Sequence, residues 1–116
     1  MADRVNPIRI TDKDTGDVYE LDFSRDSVKF AEDRGFKLAD VADFPATNIP
    51  ELFFYAFRMH HKNKSRQQTD ALLEKMHGLT RPILMRLGEL FTQAQTSNNL
   101  QDEEDLEGNA AVTVEL

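Results

Sequence analysis

A chain of 116 residues with 40% hydrophobic content and a formal charge of −7 is expected to form one small domain with a modest core. It contains no Cys, which excludes a disulfide framework and thiol chemistry. The opening Met1-Ala2-Asp3-Arg4-Val5-Asn6-Pro7 holds no apolar signal core, and no stretch approaches the ~20 apolar residues of a membrane helix, so a soluble, intracellular protein is expected.

Residues 1–7 read as a flexible arm. Ile8 and Ile10 then alternate with polar neighbours, and Tyr19, Leu21 and Phe23 fall on one face of a second extended run. Between them, Thr11-Asp12-Lys13-Asp14-Thr15-Gly16-Asp17 is dense in turn formers, which predicts a β-hairpin over about residues 8–22. Ser24 is a good helix N-cap, with Phe23 and Val28 placed to staple across it. The helix that follows runs from Arg25 to Arg34, and Gly35 stands where a left-handed cap is wanted. Residues 37–44 form a short helix with Leu38, Val41, Ala42 and Phe44 as its apolar side, and Pro45 ends it.

The central element comes next. Leu52-Phe53-Phe54-Tyr55-Ala56-Phe57-Arg58-Met59-His60-His61 holds four of the ten aromatic residues. Asn48 is placed to cap its helix, Glu51 completes a capping box, and Pro50 is tolerated in the first turn. The helix is expected to reach about Asn63. Tyr55, Met59, Leu52, Ala56, Ile49, His60, Phe53 and Phe57 then cover an arc of roughly 200°, against the ~100° stripe of an ordinary surface helix. Phe54 falls outside it, beside Arg58 and His61. Ser65 caps the next helix with Gln68 as its box partner; Thr69, Leu72, Leu73 and Met76 share one face, and Gly78 closes it. Thr80 caps the last helix, on which Ile83, Leu84, Leu87, Leu90, Phe91 and Ala94 form one arc and Met85 lies opposite.

After Gln95 the apolar pattern stops. Residues 102–116 carry six acids (Asp102, Glu103, Glu104, Asp105, Glu107, Glu115) and no base, whereas the rest of the chain has 15 acids against 14 bases. The segment 96–116 reads as a disordered acidic tail on a near-neutral body. The predicted fold is therefore mainly α with a small N-terminal β-hairpin: residues 8–95 place four to five helices around the central aromatic-rich one.

Several patterns raise chemical readings. Asp12-Lys13-Asp14-Thr15-Gly16-Asp17 resembles the start of a calcium loop, but its Gly is fifth and its twelfth residue is Phe23, so a plain turn is the better reading. His60 and His61 point about 100° apart on a helix and cannot simply chelate one ion; no metal or other cofactor is expected. His60 is read at the core margin and His61 as solvated. Arg58, Lys62, Lys64 and Arg66 form a basic patch over residues 58–66 with no acid in it. Nucleic acid could use such a patch, which leaves a small nucleic-acid-binding or regulatory protein as an alternative. A solvated helix end or a dock for an acidic segment is the favoured reading of it. Phosphate loops, nucleophile motifs and paired catalytic carboxylates are absent from the sequence, so no enzyme is expected. The outer part of the central arc, with aromatic and Met side chains, fits a protein interface. Phe54, Tyr55, Arg58, Met59, Lys62 and Met85 are the candidate partner-binding residues.

The order of features resembles a family. The strand pair is followed by Phe23-Ser24-Arg25-Asp26-Ser27-Val28-Lys29-Phe30-Ala31-Glu32-Asp33-Arg34-Gly35-Phe36, then Pro45 to Leu52, then Phe53 to His61, and later Leu87-Gly88-Glu89-Leu90-Phe91. Over roughly residues 8–95 this is similar to the tail assembly chaperones of long-tailed, siphovirus-type phages and prophages of Gram-positive bacteria. The shared features are packing patterns. The resemblance implies a helical protein of the host cytoplasm, absent from the mature virion, that forms a homo-oligomer and binds the tape measure protein. It also implies that a longer frameshifted form could recruit the tail tube protein. Another phage structural or head–tail completion protein is a further alternative.

Overall fold

A computed structural model of the chain describes residues 4–96. Its order is β1 (Ile8–Thr11), β2 (Val18–Leu21), α1 (Arg25–Asp33), α2 (Asp40–Asp43), α3 (Pro45–Phe57), α4 (Arg66–Lys75) and α5 (Arg81–Thr96). The fold is mainly helical with a two-stranded antiparallel hairpin at its start. The predicted acidic tail lies outside the described residues from Ser97 onward. The predicted arm is partly tied down: Val5 packs on the core, and its N–H donates to Gln93 Oε1 at 2.7 Å.

The hairpin pairs Ile8 with Leu21, Arg9 with Glu20, Ile10 with Tyr19 and Thr11 with Val18. This register sends Tyr19 and Leu21 to the core face. The turn is built as the sequence predicts. Asp12 Oδ1 accepts the Asp14 N–H at 3.0 Å, the Gly16 N–H donates to the Asp12 carbonyl at 2.7 Å, and Gly16 takes a φ of 80°. Past the hairpin, the Asp22 N–H donates to the Ala56 carbonyl at 3.2 Å, which seats the strand exit against α3.

Ser24 and Ser27 make a reciprocal capping box at the start of α1, with Phe23 and Val28 both buried beneath it. The other end closes as a Schellman motif: the Phe36 N–H reaches the Ala31 carbonyl at 3.0 Å and the Gly35 N–H reaches that of Glu32 at 2.9 Å, with Gly35 at φ 86°.

The α2–α3 junction departs from expectation. Pro45 opens α3 rather than ending α2, so Asn48 lies inside the helix instead of capping it. Its Nδ2 donates to the Asp40 and Phe44 carbonyls at 3.3 and 3.1 Å, which knits the two helices together. Pro45 suits the first helical position because its fixed φ is helical and its missing N–H would have had no partner there. Its ring also keeps Phe44 out of the α region; Phe44 sits at φ −132°, ψ 64° and is 63% exposed, so it does not join the apolar underside of α2. Pro50 consequently lies inside α3, past the first turn. The other end also differs: α3 stops at Phe57, short of Asn63, where His60 and His61 turn toward β2.

α3 touches β2 and each of the other four helices. It is the central element that the aromatic content predicts. Leu52, Phe53, Tyr55, Ala56 and Phe57 are buried on it. Leu87, Leu90, Phe91 and Ala94 of α5 complete the core, with Ile83 and Leu84 half-buried as their arc requires. Every buried side-chain N or O among the described residues has a hydrogen-bond partner.

Candidate functional site

Two faces carry the polar chemistry of the fold. The first surrounds the Tyr55 side chain, where α1, α3 and the start of α4 meet. Tyr55 is 1% exposed. Its ring meets Phe30, Phe36 and Phe54 at centroid distances of 5.9, 5.3 and 5.4 Å. The hydroxyl donates to Glu51 Oε2 at 2.7 Å, and the Arg34 guanidinium lies beside it. Burial raises the Tyr55 pKa and the Glu51 carboxylate raises it further, while Arg34 opposes both. Glu51 is in turn paired with Arg66, which also bonds Asp70 at 2.8 Å. On the outer side of this network, the guanidinium carbon of Arg58 stands 3.7 Å from the centroid of Phe30, and that of Arg34 stands 5.2 Å from it. Two arginines thus share one aromatic platform.

The second face is a cleft of about 330 Å³ between the hairpin and α4. Tyr19, Phe57 and Leu72 give it apolar walls, and Lys64, Gln68 and Lys75 line its polar side. Lys75 closes one end by bonding Asp12 and Asp14, both at 2.8 Å. That ammonium holds the Asp12 carboxyl below its ordinary value. Lys64 stands 4.9 Å above the Tyr19 ring. The aspartates of the calcium-like loop are therefore spent on a lysine and on their own turn. Among the described residues no group of three or more His, Asp or Glu is placed to hold a metal.

The six candidate partner-binding residues separate. Tyr55 is a correction: it is core, because α1 and the Phe36 segment cover the part of the apolar arc on which it lies. Phe54, Arg58 and Met59 are half-buried, Phe54 against the core and Arg58 on Phe30. Lys62 and Met85 are exposed, Met85 at 61%. The histidine assignment is reversed. His61 is half-buried: its Nε2 accepts the Glu20 N–H at 3.0 Å, and its ring edges onto Tyr19 at 5.3 Å. His60 is the exposed one and reaches the Glu20 carboxylate at 3.1 Å.

Part of the basic patch is paired with carboxylates within the fold, and part is only stacked on rings. Arg66 pairs with Glu51 and Asp70, His60 with Glu20, Arg58 stacks on Phe30, and Lys64 stands over Tyr19. Lys62 makes no side-chain hydrogen bond or ion pair among the described residues. Phe44 is the exposed residue that sequence reasoning misses. The signal was there in the Pro45 that follows it, which disfavours a helical Phe44.

No helix among the described residues is long and apolar enough to cross a membrane. No curated protein and no solved structure matches the chain. One family model does, over residues 1–116, described as a domain of unknown function, DUF5055. The chain belongs to that family.

Proposed function

We propose that the chain is a non-enzymatic tail assembly chaperone, which self-associates and holds a tape measure protein in soluble form while a phage tail tube is built. The reading begins from the resemblance over residues 8–95. The observation that carries it is the exposure of Phe44 and Met85, at 63% and 61%, on a domain whose core is already closed by other residues. A large apolar side chain that the fold does not use is available to a partner, and Met suits a partner of varied shape. Lys62 and the half-buried Phe54, Arg58 and Met59 add polar and apolar surface on α3 and the turn after it. An unassembled tape measure protein exposes long amphipathic helices, and such helices are recognised by apolar anchors at helical spacing.

The site of action that follows is the host cytoplasm before the virion is complete. The test is co-expression with helical segments of a tape measure protein, reading the soluble fraction and the co-purified segment. The intact chain should keep such a segment soluble. Phe44→Glu and Met85→Glu should each weaken capture about tenfold, the order expected when an apolar anchor is replaced by a charge at an interface. Because both side chains already stand in water, neither change should lower the melting temperature. Capture left untouched by both substitutions, or no capture by the intact chain, would remove the reading. Recovery of the protein from purified particles would favour a head–tail completion protein instead.

A further inference from the structure

The Phe30 platform is the surface least explained by the fold. Arg34 and Arg58 both rest against one half-buried ring, and neither makes an ion pair with a carboxylate among the described residues. Nearby charges are already committed: Asp33 is held by Lys29 at 2.9 Å, Glu32 takes a hydrogen bond from Gln95 at 2.8 Å, and Glu51 belongs to Arg66 and Tyr55. Gln95 is neutral and leaves Glu32 its charge, and against that one carboxylate the two arginines leave this end of α1 net positive. A guanidinium held over a ring keeps N–H donors at its edge for a carboxylate, and Arg34, beside the Tyr55 hydroxyl, has further N–H groups to offer.

The chain itself holds the complement. Asp102-Glu103-Glu104-Asp105-Leu106-Glu107 has five acids around one leucine and no base. We propose that this run docks in cis on the Phe30–Arg34–Arg58 platform, with its carboxylates on the two guanidiniums and Leu106 against the exposed part of Phe30. The exit of α5 makes this reachable. Gln95 is bonded to Glu32, which lies on the α1 flank facing away from Phe30. The end of α5 thus lies against the helix that carries Phe30 and leads into Arg34. The five residues Ser97 to Gln101 span up to ~16 Å when extended. Docking would cover Arg58 and the Phe54 side of α3, so the tail would compete with any partner that uses that face. This inference stands on the platform and the charge pattern and does not require the tape measure reading.

The absence of Cys allows a single spin label to be placed in the full chain. Asn109→Cys puts a nitroxide just past the acidic run. Its effect is read on the arginine side-chain N–H signals by NMR, near 0.1 M salt or below, where charges within ~10 Å still interact. The Arg34 and Arg58 signals should broaden. That of Arg81, at the far end of a helix about 24 Å long, should not. Replacing Asp102, Glu103, Glu104 and Asp105 by the matching amides in the labelled chain should lower the docked fraction about tenfold, the combined worth of several exposed ion pairs. An unchanged helical circular dichroism spectrum of the substituted chain checks that the domain stays folded. Equal broadening of every arginine, or broadening that survives neutralisation, overturns the proposal. So does broadening that reappears when spin-labelled chain invisible to NMR is mixed with isotope-labelled, spin-free chain, since that places the occupant on a second copy.

Discussion

At the scale of single residues, His77 is where the chain departs most from its own rules. The sequence offers Gly78 as the closing glycine of α4, and the helix does close there. The Schellman bonds, however, run from the His77 N–H to the Glu74 carbonyl and from the Gly78 N–H to that of Leu73, both at 3.0 Å. The left-handed position is thus His77, at φ 60°, with Gly78 following at φ 89°. A side chain with a Cβ pays about 1–2 kcal/mol for that conformation relative to glycine. Part is returned because glycine loses more freedom on folding. His77→Gly should therefore stabilise the domain by about 0.5–1 kcal/mol, seen as a rise of several degrees in melting temperature. An unchanged or lowered melting temperature would mean that the exposed imidazole makes a compensating contact. Tyr55 is the converse case, a residue whose burial the helical wheel could not foresee. Tyr55→Phe removes a hydroxyl bonded to Glu51 while Arg66 still holds that carboxylate, so it should cost about 1–2 kcal/mol in urea unfolding and leave the fold intact. A surface role for the ring would predict no loss. Tyr55 lay on the predicted apolar arc, but which part of a broad arc meets a second layer depends on where Phe30 and Phe36 arrive, and sequence spacing does not carry that.

At the scale of elements, the caps were the most legible part. Ser24, Gly35, Ser65 with Gln68, and Thr80 each act where they stand in the sequence, because a cap is a bond between neighbours in the chain. The α3 boundaries were not legible. Pro45 can end one helix or begin the next, and the carbonyls that receive Asn48 belong to α2 and its junction with α3. The early end of α3 is set by β2, through the Glu20 N–H on His61. That contact gives a pH dependence. Burial lowers the His61 pKa below its ordinary 6.5, helped by the positive charge of His60 and Lys64 and opposed by Glu20. A proton on Nε2 would also remove the acceptor for Glu20. With the folded value below the unfolded one, this contribution is present above the ordinary value and is lost as pH falls through the folded value. Urea midpoints should therefore drop between about pH 7.5 and pH 5, and His61→Gln should flatten that drop. A second limb lies lower. Hydrogen bonding to Lys75 holds Asp12 below 3.8, so the hairpin–α4 tie persists until the medium is more acidic than that value and then fails. Lys75→Ala should remove this acid limb; a limb that survives the substitution would assign it to other carboxylates.

At the scale of the whole molecule, charge and apolar surface make opposite demands, and salt tells them apart. The body is near neutral, while each chain ends in a segment with six acids and no base. If chains associate through Phe44 and Met85, bringing them together crowds these segments, and their repulsion is screened from a range of ~10 Å at 0.1 M salt to ~3 Å at 1 M. Association through apolar contacts should then hold or strengthen as salt is raised. Association through acidic segments on neighbouring arginines should weaken with salt, because each such pair is exposed. Light scattering on a sizing column at two protein concentrations and two salt concentrations separates the cases. The expected result is a mass above the 13.3 kDa of one chain that persists at high salt. It should fall toward that single-chain value in Phe44→Glu or Met85→Glu with an unchanged helical spectrum. A mass that collapses in high salt would instead place the acidic run in trans and contradict its docking on its own chain. A monomer under every condition would leave Phe44 and Met85 as contacts for a different protein, and self-association would drop out of the proposed function.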